Sequence, residues 1–208
     1  HFEVLLASAE GESRVIYDER SPRYVERVDD RTVTFLSDGD HFVVRNETES
    51  GYYHLYLYSA SRGRLRALTE GAWEVTEVVE VTDERVYFLS TETSPLRRNL
   101  YSVKLNGRDK RRITDRDGMY RIAPSRGMRY YISYFSSVDD PQVVTLHRAN
   151  GEQVRVLEDN ADYVKATIDL PRKEFFTFTT ERGDRLNGYM VRPSDFDKTK
   201  KYPVLMTQ

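Results

Sequence analysis

Apolar and aromatic positions along this chain fall in short runs broken by turn residues, which is the pattern of strands, and no stretch sustains helical periodicity. The runs predict a hairpin, Phe2–Ala7 with Arg14–Asp18, around Ala9-Glu10-Gly11-Glu12. Four strands follow at Thr32–Leu36, His41–Asn46, Tyr53–Ser59 and Arg64–Thr69. Four more are predicted at Val75–Val81, Arg85–Ser90, Asn99–Leu105 and Lys110–Thr114, and another four at Tyr120–Ala123, Arg129–Phe135, Gln142–His147 and Gln153–Leu157. Pro95 and Pro141 fall in connections between second and third strands, where a missing N–H costs no ladder bond.

The groups of four repeat. Gly63, Gly107 and Gly151 sit in turns 44 residues apart, and Phe42, Tyr87 and Tyr131 are 45 and 44 apart. Leu55, Leu100 and Val144 keep that step, as do Leu68-Thr69, Ile113-Thr114 and Leu157-Glu158. A period near 45 made of short strands is that of a β-propeller blade, which cannot bury both faces without neighbours. The predicted fold is all-β: a partial β-propeller of about three four-stranded antiparallel blades plus part of another. Residues 1–20 would be the tail of an earlier blade, with blades at 21–70, 71–116 and 117–160. Three blades are too few for a ring, and the chain opens at His1 without methionine, so a piece of a larger protein is expected.

After Asn160 the repeat stops. Glu174–Thr180 and Arg185–Arg192 predict a hairpin about Glu181-Arg182-Gly183-Asp184. Tyr202-Pro203-Val204-Leu205-Met206 is a nearly continuous apolar run, expected as a strand buried on both faces inside an α/β sheet. Residues 161–208 are therefore assigned as a crossover into the first strands of a different domain.

Composition narrows the functional classes. A net charge of −2 gives no basic footprint for nucleic acid, and no run approaches a membrane span. The absence of cysteine excludes disulfides and thiolate metal sites, and no cofactor is implied. Fifteen tyrosines and nine phenylalanines suit strands with one wet edge. Asp38-Gly39-Asp40-His41 offers metal-ligand types, but the repeat places it at a hairpin turn. Asp115-Arg116-Asp117-Gly118 lacks the later acidic ligands of a calcium loop and reads as a blade-to-blade linker. No metal site is assigned. Asn46-Glu47-Thr48 is a glycosylation sequon, Trp73 reads as a packing anchor between blades, and Lys198–Lys201 as a solvated loop.

Several stretches carry a resemblance: Gly71-Ala72-Trp73-Glu74-Val75, Val86–Glu92, Arg98-Asn99-Leu100-Tyr101, Val156–Asn160 and Phe196–Met206. In this order they resemble the dipeptidyl peptidase IV branch of the prolyl oligopeptidase family. The resemblance covers essentially the whole chain. It implies an eight-bladed propeller followed by an α/β-hydrolase domain, and removal of dipeptides after proline or alanine from peptide N-termini. Residues 1–160 would be the last part of that propeller and residues 173–208 the first hydrolase strands. The family's substrate-holding glutamates and arginine would precede this segment, and its catalytic serine, aspartate and histidine would follow. No catalytic residue is therefore assigned here, and the sequence contains no Gly-x-Ser-x-Gly nucleophile turn.

In the family, the stretch matching Tyr24–Asp29 projects towards the active site. Arg27, Val28 and Asp29 are accordingly assigned as lining of the substrate cleft, with Val28 and Asp29 departing from the family's aromatic and basic types. The resemblance implies peptide substrates and a periplasmic, extracellular or outward-facing membrane-anchored setting. Open blade faces predict a homodimer. A purely scaffolding propeller is the rival class, but there is no Trp-Asp blade closure and no Gly-Gly pair. A peptidase homologue without activity is a further alternative.

Overall fold

The computed structural model describes residues 1–25, 32–138, 140–166 and 173–207. Strands β1 (Phe2–Ala7) and β2 (Ser13–Glu19) pair as an antiparallel hairpin. Three antiparallel sheets of four strands follow. The first contains β3 (Val33–Phe35), β4 (His41–Asn46), β5 (His54–Ser59) and β6 (Gly63–Ala67). The second contains β7 (Val75–Val81), β8 (Arg85–Ser90), β9 (Asn99–Lys104) and β10 (Arg111–Arg112). The third contains β11 (Met119–Pro124), β12 (Tyr130–Ser136), β13 (Val143–Arg148) and β14 (Gln153–Glu158). In every sheet the strands adjoin in chain order, the meander of a propeller blade, and the chain is a partial β-propeller.

Alternation of side chains across each strand supplies two apolar faces, and each face meets a different neighbour. Val43, Leu55, Leu57 and Leu68 of the first blade pack against Val75, Val78, Val86, Phe88, Tyr101 and Val103 of the second. The other face of the second blade, with Val79, Tyr87, Leu89 and Leu100, packs on Tyr120, Ile122, Met128, Tyr131 and Phe135 of the third. Phe42 and Val44 turn the other way, against Ile16 and Tyr17 of the first hairpin. Strand β8 is buried along its whole length because it lies between two blades. Polar ties at nearly the repeat spacing cross the same boundaries. Asp83 accepts from the Ser37 amide at 3.1 Å and hydroxyl at 2.6 Å, and Glu80 accepts from the Gly127 amide at 2.9 Å.

The fourth strand of the second blade is shorter than the predicted Lys110–Thr114. Only Arg111 and Arg112 pair with β9, because the Thr114 hydroxyl accepts the Leu100 amide at 3.1 Å in place of a backbone carbonyl. Thr69 does the same for Leu55 in the first blade, at 2.9 Å.

The chain divides into two compact units, residues 1–137 with 142–159, and residues 138–141 with 160–208. The second unit contains a short helix, α1 (Ala161–Ala166), where no helix is predicted. Asn160 precedes it at φ +56° and its carbonyl accepts the Val164 amide at 2.9 Å. Strands β15 (Lys173–Thr179) and β16 (Arg185–Val191) form the expected hairpin, with Gly183 at φ +90° in its turn. The predicted strand at Tyr202–Met206 is not formed, and Val204, Leu205 and Met206 are 85–92 % exposed. A strand needs a neighbour to take its backbone bonds, and none of the described strands runs beside this segment.

Candidate functional site

Arg27, Val28 and Asp29, the assigned cleft residues, lie outside the described residues. The edge into which their segment leads is described. Thr32 enters β3 with its carbonyl accepting the Arg45 amide at 3.1 Å, and Asn46 closes β4 opposite His54 of β5. The Arg45 guanidinium lies 4.2 Å over the Tyr53 ring, and the Tyr53 carbonyl accepts the Val75 amide at 2.7 Å. Trp73 stands at the same edge, edge-on to His54 and stacked on Phe88, with the Lys110 ammonium 4.6 Å over its ring. It packs against the core between the first two blades. Gly71 leaves room for it, since a Cβ there would lie 2.3 Å from the indole nitrogen.

Beneath this edge lies a buried polar chain. The Asn46 amide donates to the Tyr17 hydroxyl at 2.8 Å, and that hydroxyl donates to the Glu19 carboxylate at 2.9 Å. Burial, with the Glu19 charge beside it, pushes the Tyr17 phenol far above its ordinary range. Asn46 is 2 % exposed, so the amide of the sequon is enclosed in the folded chain.

The four histidines show what chemistry the described residues can support. His1 is exposed beside Glu3 and Asp18, at 3.0 and 3.2 Å. These three are the one grouping of metal-ligand types that converges among the described residues, and all belong to the surface of the first hairpin. His41 meets Asp38 through Nδ1 at 2.6 Å, but its Nε2 faces Arg62 at 3.3 Å and no hydroxyl. Asp38 meanwhile accepts the Asp40 and His41 amides, and Asp40 accepts from Ser59, so this quartet is a hydrogen-bonded turn. His54 is held by Thr69 and the Gly71 carbonyl, both at 3.0 Å. His147 has hydroxyls at Nε2, Thr145 at 2.6 Å and Ser133 at 3.2 Å, while its Nδ1 meets the Gly151 carbonyl and no acid. Among the described residues, none of the four combines a serine with a carboxylate in the arrangement that activates a nucleophile. Asp117, in the stretch read as a blade-to-blade linker, pairs with Arg97 and with Arg112, the latter at 2.9 Å.

Residues 1–142 match the family model described as the dipeptidyl peptidase IV N-terminal region. The chain belongs to the dipeptidyl peptidase IV family. Bos taurus dipeptidyl peptidase 4 is 33 % identical over 185 residues, covering 83 % of this chain and 24 % of the bovine protein. Felis catus dipeptidyl peptidase 4 is 32 % identical over 183 residues, with 83 % and 24 % covered. The crystal structure of Porphyromonas gingivalis dipeptidyl peptidase 4 superposes with a TM-score of 0.83 at 32 % identity, over 92 % of this chain and 28 % of that one. The chain thus spans about a quarter of the length of the curated relatives it matches. Among the described residues of this dipeptidyl peptidase IV family member, no helix is long and apolar enough to cross a membrane.

Two polar groupings escaped the sequence reading, the Tyr17–Glu19–Asn46 chain and the Ser133–Thr145–His147 cluster. Ser133 faces Thr145 across the β12–β13 ladder, and Tyr131 faces His147. The alternation of Thr145 and His147 along one strand was a visible signal, but only the register brings Ser133 to them.

Proposed function

We propose that this chain is the non-catalytic propeller portion of a serine-type dipeptidyl peptidase, whose substrates are peptides ending in a free amino terminus with proline or alanine second. The single observation that carries this reading is family membership over residues 1–142, joined to a stack of blades without a nucleophile turn. Acyl transfer from a histidine-activated serine, with an oxyanion hole for the tetrahedral intermediate, would be supplied outside these residues. The blades would wall the chamber and restrict entry to narrow peptide ends. Arg27, Val28 and Asp29 would line the cleft, and residues 173–208 would begin the α/β-hydrolase domain. The protein would work as a homodimer outside the cytoplasm, free or anchored facing outward.

The test is hydrolysis of Gly-Pro p-nitroanilide by this chain and by the longer protein that contains it. The expected result is turnover by the longer protein alone. Turnover by this chain, or none by a folded longer protein, contradicts the reading. In the longer protein, Val28→Phe should change the ratio of kcat/KM between Gly-Pro and Gly-Ala substrates. An unchanged ratio removes Val28 from the cleft.

A further inference from the structure

Alternation along the first hairpin turns its side chains to two sides. Phe2 and Val4 pack on the core shared with the first blade. Glu3, and His1 two residues before it, therefore point outwards, and Asp18 faces Glu3 directly across the β1–β2 ladder. Two strands thus gather an imidazole and two carboxylates on one surface. His1 Nε2 lies 3.0 Å from Glu3 Oε1 and 3.2 Å from Asp18 Oδ2, and the three ligand atoms all fall within 4.8 Å of one another.

This spacing calls for positive charge at its centre, because a nitrogen lone pair and two carboxylate oxygens repel at such distances. A proton on Nε2 points along one line and serves one oxygen well, whereas a metal ion serves all three atoms at once. Zinc ligands about 2.0–2.1 Å from the ion at tetrahedral angles stand about 3.3 Å from one another. The two separations from His1 Nε2 are already close to that value. The imidazole favours zinc and its transition-metal neighbours over calcium and magnesium, which take oxygen ligands.

The guanidinium of Arg20 is the rival for these carboxylates. Its Nε donates to Asp18 Oδ1 and its Nη2 to Asp18 Oδ2, both at 3.0 Å, and Nη2 lies 3.8 Å from Glu3 Oε1. The Arg20 side chain is 70 % exposed, and among the described residues only these two carboxylates hold it. It is therefore a displaceable counter-ion.

We propose that His1, Glu3 and Asp18 bind a zinc ion, which ties the start of β1 to the end of β2 and keeps a coordination position for water. The site does not rest on the peptidase reading.

The test is calorimetric titration of this chain with zinc chloride, with the His1 ring protons followed by NMR. Saturable binding is expected, with shifts at the His1 ring and the β1–β2 amides and none at the rings of His41, His54 or His147. Glu3→Gln and Asp18→Asn should each weaken binding by about ten-fold or more, at least the loss that removing an outer partner of a metal site brings. Arg20→Gln should tighten binding by up to about five-fold, since an exposed ion pair no longer competes. None of these three positions is buried, so the variants keep the fold, and unchanged amide shifts in the blades check it. Absence of saturable binding, binding unchanged in both carboxylate variants, which leaves His1 alone as the ligand, or binding weakened by Arg20→Gln overturns the proposal.

Discussion

At the scale of single residues, stability rests on a polar clasp used twice. His54 and Asn99, which open the third strands of their blades, reach Thr69 and Thr114 at the end of the fourth. Each then holds a carbonyl two residues further on, Gly71 at 3.0 Å and Arg116 at 2.8 Å. The third blade has Val143 and Glu158 at the matching places and cannot build this clasp. Thr114→Val should cost about 1–3 kcal/mol in urea unfolding, because the Leu100 amide loses its acceptor inside the core, whereas Thr114→Ser should cost little. The 45-residue spacing of Thr69 and Thr114 was plain in the sequence. Their role was not, because it depends on a side chain replacing a ladder carbonyl. Acid sensitivity also belongs to this scale. The Ser37 hydroxyl and amide hold the Asp83 carboxyl below its ordinary value, and the Arg85 guanidinium does the same for Asp109. A carboxyl whose folded pKa is depressed contributes stability above its unfolded value, near 3.9, and loses it as pH falls through the folded value. Unfolding midpoints should therefore fall below about pH 4, and Asp83→Asn should flatten that slope.

At the scale of elements, the strands were legible because short apolar runs and glycine turns recur with the blade. Helix α1 was not, since six residues are too few to display a helical period. The Tyr202–Met206 run has strand composition but no strand beside it, and composition cannot supply a partner. Blade contacts dominate the energetics. Phe88 is fully buried between Trp73, at 6.5 Å, and Tyr101, at 5.9 Å, so Phe88→Ala should cost about 3–5 kcal/mol in the same urea assay. Gly71→Ala should destabilise as well, through both its φ of +136° and the contact with Trp73. Amide exchange should be slowest in β8 and β9, which are enclosed, and fastest in the β15–β16 hairpin, whose residues are mostly exposed. Equal protection of the two would contradict this ordering.

At the scale of the whole molecule, apolar surface is the outstanding feature. Phe175, Phe176, Phe178, Leu186, Tyr189 and Met190 of one hairpin are all exposed, together with Val204, Leu205 and Met206. Surfaces of this kind drive association, so light scattering should find the chain as a dimer or larger assembly at micromolar concentration. A monomer throughout that range would contradict the expectation. The blade repeat and the family were both readable from the sequence; Arg27 to Asp29, proposed as cleft lining, lie outside the described residues. We propose that these blades shape a peptidase whose nucleophile lies outside residues 1–208. The most direct measurement is labelling of the longer protein with a fluorophosphonate, followed by mass spectrometry of the adduct. One modified serine outside residues 1–208 is expected, with Gly-Pro hydrolysis lost in step. An adduct within these residues, above all at Ser133 beside His147, would contradict it.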